Sequence, residues 1–233
     1  MHTPDASPIL PRRAFLAGAF ATAGALALAA CASTGMPISL TEAVRRLLVL
    51  SSERAFLRLT KPGGYWDQQV TQVGLGEMLG TRGDTLSRVL TSTLFKDRLE
   101  DVVADVAVDA SYRAAPVVTD AVRVIGVSDA LALVRGGPNA ATTFLRGEMG
   151  GRLVEALVPE VGEALRVAED PLMRELIAGL TGVDVGGLSR SLAGRIEDVI
   201  WREIGNEEAA IRANPAQTRD PVLIGVFAAN AAL

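Results

Sequence analysis

Apolar side chains recur at steps of three and four residues between Leu188 and Ile211, and this spacing constrains the fold more than any other feature. An α-helix places residues at this spacing on one face. The apolar positions are Leu188, Leu192, Ile196, Val199, Ile200, Ile204 and Ile211. The opposite face carries Arg195, Glu197, Asp198, Arg202 and Asn206. We therefore predict a long helix with one buried and one solvent face, ending at Asn214-Pro215.

Similar signals predict helices along the rest of the chain. Ser39 and Glu42 have the spacing of a capping box and begin a helix that runs to about Thr60. Pro116 is expected in the first turn of a new helix. The other predicted helices are 84 to about 113, 116 to about 126, one capped by Ser128, one from Asn139 through Leu153 with Pro159 bending or restarting it, 170 to about 179, and about 220 to 227.

Strand-like alternation is hard to find, whereas helical periodicity is frequent. The segment from Lys61 to Asp84 has six glycines and no convincing period, which is typical of a lid, a binding loop or a disordered segment. The fold class predicted is all-α: a single multi-helix domain of eight to nine helices, spanning residues 39–229, after a lipoprotein signal peptide.

The first 30 residues have the parts of an export signal. Arg12-Arg13 precedes an uncharged run from Ala14 to Ala30, and Leu28-Ala29-Ala30-Cys31 resembles a bacterial lipobox. The basic pair also resembles a twin-arginine export motif, with Pro11 in a position where that motif usually has Ser or Thr. We predict cleavage before Cys31 and lipidation of its sulfur, with residues 31–38 as a lipidated tether. An ordinary signal peptide with an incidental cysteine is the alternative.

Lipidation of Cys31 would attach the protein to a membrane without a spanning helix. Because Ala32 follows the cysteine and not the Asp of an inner-membrane retention signal, the expected location is the periplasmic face of the outer membrane. The outer face of the inner membrane is the second choice. The expected partners are therefore the membrane, through the lipid, and a protein or an amphiphilic ligand.

Composition excludes several kinds of chemistry. The chain contains one histidine, His2, and one cysteine, Cys31. After cleavage and lipidation the domain has neither a free thiol nor an imidazole, which argues against Ser-His-Asp or Cys-His catalysis and the usual zinc, haem and iron–sulfur sites. The net charge of −4 argues against nucleic acid. We expect no cofactor, no metal and no catalytic residue, and an enzyme is the less favoured reading.

Two polar segments are the best candidates for a site. Asn139 is expected to cap a helix on which Thr142 and Arg146 lie one turn apart, and Glu208 and Arg212 form an i,i+4 pair. Thr142, Arg146, Glu208 and Arg212 are thus predicted to form either a structural bridge or a polar pocket. In the pocket alternative, Arg146 and Arg212 hold an anionic head group.

Two further sets of carboxylates have alternative interpretations. Glu203, Glu207 or Glu208 could serve as the acid or base of a carboxylate-based hydrolase or transferase if two of them shared a cleft. Residues at four-residue steps form an acidic row on one helix. The row drifts around the helix and is predicted to be a solvated face and not a cation site. It comprises Asp97, Asp101, Asp105 and Asp109.

The two polar segments resemble the bacterial family called domain of unknown function 4197. The family's first segment matches Gly136, Gly137, Ala140, Ala141, Thr142, Phe144 and Arg146, and its second matches Glu207, Glu208, Ile211, Arg212, Asn214 and Pro215. The resemblance extends from about Leu40 to Phe227 and implies an exported or lipidated helical protein. It implies no activity.

These observations favour a lipid-anchored envelope protein that acts as a binding or interaction module for an amphiphile or an envelope protein. The lipid anchor, the apolar helices and the shortage of catalytic side chains support this expectation. The alternatives are a structural envelope-maintenance protein without a ligand pocket and the carboxylate-based enzyme.

Overall fold

The computed structural model describes residues 39–69, 93–167 and 185–230. These ranges contain eight α-helices and one 3-10 helix, and no strand occurs within them. The helices are α1 (Leu40–Leu59), α2 (Tyr65–Gln69), α3 (Thr93–Val124), α4 (Ala130–Arg135), α5 (Ala140–Met149), α6 (Arg152–Val167), α7 (Val185–Ala213), the 3-10 helix Pro215–Thr218 and α8 (Pro221–Asn230). The prediction of an all-α domain is confirmed. The predicted leader, lipobox and tether, and the predicted helix from Asp170, lie outside the described residues.

Helix α1 begins as its capping signal predicts. The Glu42 N–H donates to the Ser39 Oγ at 3.3 Å, and the helix ends at Leu59, one residue before the expected Thr60. Gly63 follows with a φ of +63°, a conformation that an L side chain rarely adopts. Helix α2 follows directly, so the segment from Lys61, which showed no period, holds one short helix; the remainder of that segment lies outside the described residues.

Helix α3 corrects the expectation of two helices separated near Pro116. The described helix starts at Thr93, and it continues through Pro116 to Val124. A proline inside a helix removes one backbone hydrogen bond. Burial of apolar side chains on both sides of Pro116 outweighs this loss, because Ala114 and Val118 are fully buried on the same helix. The tertiary contacts therefore hold one helix where the local signal predicted two.

Helices α4 to α6 differ from the predicted boundaries in three places. Asp129, and not Ser128, caps α4, since its Oδ1 accepts the Ala132 N–H at 2.9 Å. The helix that begins after Asn139 ends at Met149, where Gly150 has a φ of +54°. A new helix then runs from Arg152 to Val167 with Pro159 inside it. Gly150 ends α5 because glycine tolerates this left-handed backbone, and no periodicity count could detect that break.

Helix α7 packs against α1, α5 and α6 and carries the face predicted from its period. Six of the seven apolar positions are buried, and Leu188 is half-buried. Glu197 corrects the prediction for the opposite face, because it is buried and not solvated. Its carboxylate is accommodated because the Trp201 Nε1 donates to it at 2.8 Å and Arg146 lies beside it. The core joins all of these helices.

No helix in the described ranges is both long enough and apolar enough to cross a bilayer.

Candidate functional site

Glu208 lies at the point where α7 meets the first turn of α5. Its side chain is 0 % exposed. The carboxylate accepts the backbone N–H of Ala141 at 3.0 Å, the backbone N–H of Thr142 at 2.7 Å and the Thr142 hydroxyl at 2.6 Å. The first N–H groups of a helix have no partner within the helix. Asn139, expected as the cap, makes no side-chain cap hydrogen bond. Glu208 therefore caps α5 from a distant part of the chain.

Arg212 neutralises this buried carboxylate from one turn further along α7. Its Nε and Nη2 lie 2.8 and 2.7 Å from the Glu208 Oε1. The same guanidinium donates to the carbonyls of Val134 and Leu133, at 3.0 and 2.9 Å, where α4 ends. It also lies 4.8 Å from the centre of the Phe227 ring. We call Thr142, Glu208 and Arg212 the buried bridge.

The buried bridge is filled by its own partners. All three guanidinium nitrogens of Arg212 have an acceptor, and both oxygens of Glu208 accept hydrogen bonds. Buried charges are tolerated only when they are paired and hydrogen-bonded. This arrangement joins α4, α5, α7 and α8, and it leaves no charged atom directed at a ligand.

Arg146 lies outside the buried bridge. Its Nη2 is 3.3 Å from the Glu197 carboxylate and also pairs with Asp198. Thr142 and Arg146 share a face of α5, but they meet carboxylates that are far apart on α7. Of the four predicted site residues, the structure therefore brings three together and places the fourth in a separate ion pair.

The three glutamates considered as acid or base fall into two groups. Glu203 and Glu207 share Arg58, which pairs with both, at 3.2 Å in the case of Glu207. Asn206 also donates to the Glu203 Oε1 at 2.8 Å. Glu208 belongs to the buried bridge. Each of these carboxylates is held by a guanidinium.

Tyr65 lies beside Arg58 and Glu203, and we call these three residues and Glu207 the Arg58 group. The sequence interpretation missed Tyr65. Burial, and then its hydrogen bond with Glu203, raise the pKa of Tyr65 to about 12. The neighbouring Trp66 is fully buried, and its Nε1 donates to the Ser111 Oγ at 3.1 Å. The sequence feature that could have identified Tyr65 is the aromatic pair Tyr65-Trp66 directly after Gly63-Gly64. The group fastens the end of α1 to α7.

A groove of about 330 Å³ lies between α1 and the segment that leads into α8. Arg45, Arg46, Val49 and Leu50 line it from α1, and Asp220 and Leu223 line it from the opposite side. Most of the surface that faces it is carbon. We call it the α1–α8 groove. Sequence reasoning missed it because its two sides lie far apart in the chain.

The rim of the α1–α8 groove is fixed by one ion-pair network. Arg46 lies 2.8 Å from Glu42 and 3.1 Å from Asp220. The hydrogen bonds to Glu42 and Asp220 raise the pKa of Arg46. Burial alone would raise the pKa of Asp220, but hydrogen bonds from the Leu223 N–H, Arg46 and the Val222 N–H outweigh it, so that pKa is lowered.

Arg45 differs from Arg46 although the two are adjacent. Its Nε is buried and has no hydrogen-bond acceptor within the described ranges. Its guanidinium forms no ion pair with any residue that the structure describes. A buried donor without an acceptor costs about 1–3 kcal/mol. Arg45 is therefore a half-buried cation in the wall of a largely apolar groove, and it is unpaired with respect to the residues that the structure describes.

The acidic row of α3 lies on the solvent face, as predicted. Asp97, Asp101, Asp105 and Asp109 are all exposed. Within the described part of the chain, no group of three or more His, Cys, Asp or Glu side chains is placed to hold a metal ion.

Comparison with known proteins identifies a family. The model of a family described as "Protein of unknown function (DUF4197)" matches residues 37–228. This range contains the buried bridge, the Arg58 group and the α1–α8 groove. No curated protein matches the chain. No solved structure matches it either.

Proposed function

Because the chain belongs to the family described as protein of unknown function DUF4197, whose description names no activity, we propose a function from the geometry of its own residues. The protein is a lipid-anchored envelope protein, and its helical domain is a binding module for an amphiphile or a protein partner. The observation that carries this proposal is the α1–α8 groove with its unpaired Arg45.

The position of the groove fits a membrane-anchored protein. Cys31, the proposed lipid attachment point, precedes Ser39 by eight residues. A chain of that length spans at most about 30 Å when fully extended. Helix α1 begins at Leu40, and the groove starts at its first turn, at Glu42. The proposed tether would thus set an upper limit on the distance between the membrane surface and the start of α1.

The polar groups support binding more than catalysis. The buried bridge and the Arg58 group are occupied by their own ion pairs, so neither offers a free acid or base to a substrate. The α1–α8 groove, by contrast, is open and largely apolar, and it contains a cation that has no partner among the described residues. A concave, largely apolar surface with a few polar groups is typical of a ligand site.

The anchor is tested by labelling cells with radioactive palmitate. We expect label on the wild-type protein and none on a Cys31→Ser variant, and we expect that variant to leave the membrane fraction. A Cys31→Ser protein that still fractionates with membranes would rule out the anchor.

The binding function is tested by photocrosslinking in cells. A photoreactive amino acid replaces Val49, in the groove, and as a matched control it replaces Glu148, which is exposed on α5. We expect a crosslinked lipid or protein at position 49 and none at position 148. Absence of an adduct at position 49, or equal adducts at both positions, would contradict the binding function.

A further inference from the structure

The α1–α8 groove has the size of a small-molecule site. Ligand pockets typically have volumes of about 300–1,000 Å³, and the groove lies at the lower end with about 330 Å³. A stable protein interface needs roughly 800 Å² and about 20–30 residues on each side. Nine of the described residues line the groove. Its dimensions therefore favour a small ligand over a protein partner.

The groove offers two kinds of contact at once. Val49 and Leu50 provide partly exposed aliphatic surface, and burial of a hydrocarbon chain against such surface contributes about 0.8 kcal/mol per CH₂ group. Arg45 provides a positive charge and a buried Nε that have neither a counterion nor an acceptor in the described part of the chain. A molecule that satisfies both must combine an alkyl chain with an anionic end.

The described groove residues include three carboxylates and two guanidinium groups, so among anions they disfavour a doubly charged one more than a singly charged one. Arg46 is already occupied by Glu42 and Asp220, so Arg45 is the one cation of the described groove residues that lacks a partner. Glu53 is exposed at the rim and repels anions. A phosphate monoester carries up to two charges and meets more repulsion here. A planar carboxylate matches the fork of one guanidinium.

We propose that the α1–α8 groove binds the carboxylate of a fatty acid, with the alkyl chain along Val49 and Leu50 and the carboxylate on Arg45. This inference rests on the proposed binding function and names its ligand class. The Arg45 Nε–H is now covered by protein atoms, and a small rotation of the side chain would direct it towards the ligand. The ligand carboxylate would then accept its hydrogen bond. Because the groove is open, the alkyl chain stays partly in water and binding is modest.

Equilibrium dialysis with decanoate tests this assignment. The full chain carries Cys31→Ser, so that neither acyl chains nor detergent compete for the groove. We expect decanoate to bind about tenfold more tightly than decanol or decyltrimethylammonium. Arg45→Gln should abolish this preference, whereas Arg123→Gln, a matched change on an exposed arginine of α3, should leave it intact.

Glu53→Gln sharpens the test, because removing the repelling charge should tighten decanoate binding by about two- to threefold. The variant lies on the rim, so we expect it to fold normally by circular dichroism.

Several results would overturn the assignment. Equal binding of decanoate and decyltrimethylammonium would show that the groove does not prefer an anionic ligand. Unchanged decanoate binding by Arg45→Gln would show that Arg45 does not bind the carboxylate. Tighter binding of decyl phosphate than decanoate would assign the groove to a phosphate ligand. If no amphiphile binds while position 49 crosslinks a protein, the fatty-acid assignment fails and the binding function stands. If decanoate binds through Arg45 but position 49 crosslinks nothing in cells, the binding function fails instead.

Discussion

Arg212 and Arg45 both lie between helices, but their guanidinium groups are in opposite situations. Arg212 is 10 % exposed in its side chain and has acceptors on α4 and α7 for every nitrogen. Arg45 lies in an open groove and has a buried Nε with no acceptor in the part of the chain described. The first arginine is used in holding helices together, whereas the second has its charge still available. In this chain, the polar residues that are most visible in the sequence maintain the fold, and the candidate for binding lies elsewhere.

The largest expected effect follows from breaking the buried bridge. Arg212→Gln leaves the Glu208 carboxylate buried without its cation, and loss of one partner of a buried pair costs about 3–5 kcal/mol. The matched change Arg45→Gln removes no ion-pair partner within the described ranges and keeps an amide N–H at the chain position of the Nε, so the free energy of unfolding should stay within about 0.5 kcal/mol of the parent. Urea unfolding of the two variants measures both values. If both variants lose the same free energy of unfolding, Arg212 and Arg45 do not differ in their structural role.

A smaller effect is expected from Thr142→Val, which keeps the shape of the side chain and removes the hydroxyl. The lost hydrogen bond ends on a buried carboxylate, so we expect a loss of about 2 kcal/mol in urea unfolding. Thr143→Val is the control, because the Thr143 hydroxyl only contacts the Asn139 carbonyl on the exposed side. That variant should lose less than about 0.5 kcal/mol. If both variants lose the same amount, the hydroxyl is not part of the bridge.

The smallest effect concerns the rim of the groove. Asp220→Asn removes a charge that pairs with Arg46 and lies at the start of α8, and at neutral pH we expect a loss of about 0.5 kcal/mol. The pKa of Asp220 is lowered by folding, so its stabilisation is present above the ordinary carboxyl pKa of about 3.9. It is lost as the pH falls through the lowered value.

Urea unfolding at about pH 7 and at about pH 2 measures this dependence. The difference between the parent and Asp220→Asn should shrink at the lower pH. A difference that grows on acidification would contradict the lowered pKa. Because this ion pair is partly exposed, its loss should remain well below that of the bridge in either condition.

The sequence predicted the helices most reliably where the signal is local. The three- and four-residue spacing in α7 predicted that Leu192, Ile196 and Ile200 are buried, because the period of one helix determines which residues share a face. Pro116 gave the wrong boundary. Its local penalty is outweighed by burial on both sides, which depends on helices far away in the chain.

The candidate site was predictable only where its contacts are local in the chain. Glu208 and Arg212 are one turn apart, so their pairing is local. The pairing of Arg146 with Glu197 and Asp198 is not local, because these residues lie on different helices. Thr142 and Arg146 lie about 6 Å apart along α5, whereas Glu208 and Glu197 lie about 16 Å apart along α7. Which carboxylate Arg146 meets depends on how the two helices pack, and no spacing within either helix determines it.

The α1–α8 groove lies beyond what periodicity can predict. Its rim is closed by the hydrogen bond from Arg46 to Asp220, which joins residues separated by 174 positions in the chain. The unpaired state of Arg45 is also a property of the fold, because Glu42 lies within one turn of both Arg45 and Arg46 and pairs with Arg46. Only the folded arrangement distinguishes the two adjacent arginines.

The most direct test of the contrast between structural and binding arginines is the effect of decanoate on urea unfolding of the Cys31→Ser chain. A ligand that binds only the folded state raises its free energy of unfolding. Decanoate should raise the urea midpoint of the parent and of Arg146→Gln, and it should leave Arg45→Gln unchanged. A shift of the urea midpoint that persists in Arg45→Gln and disappears in Arg146→Gln would contradict the account. It would show that Arg146, and not Arg45, binds the carboxylate.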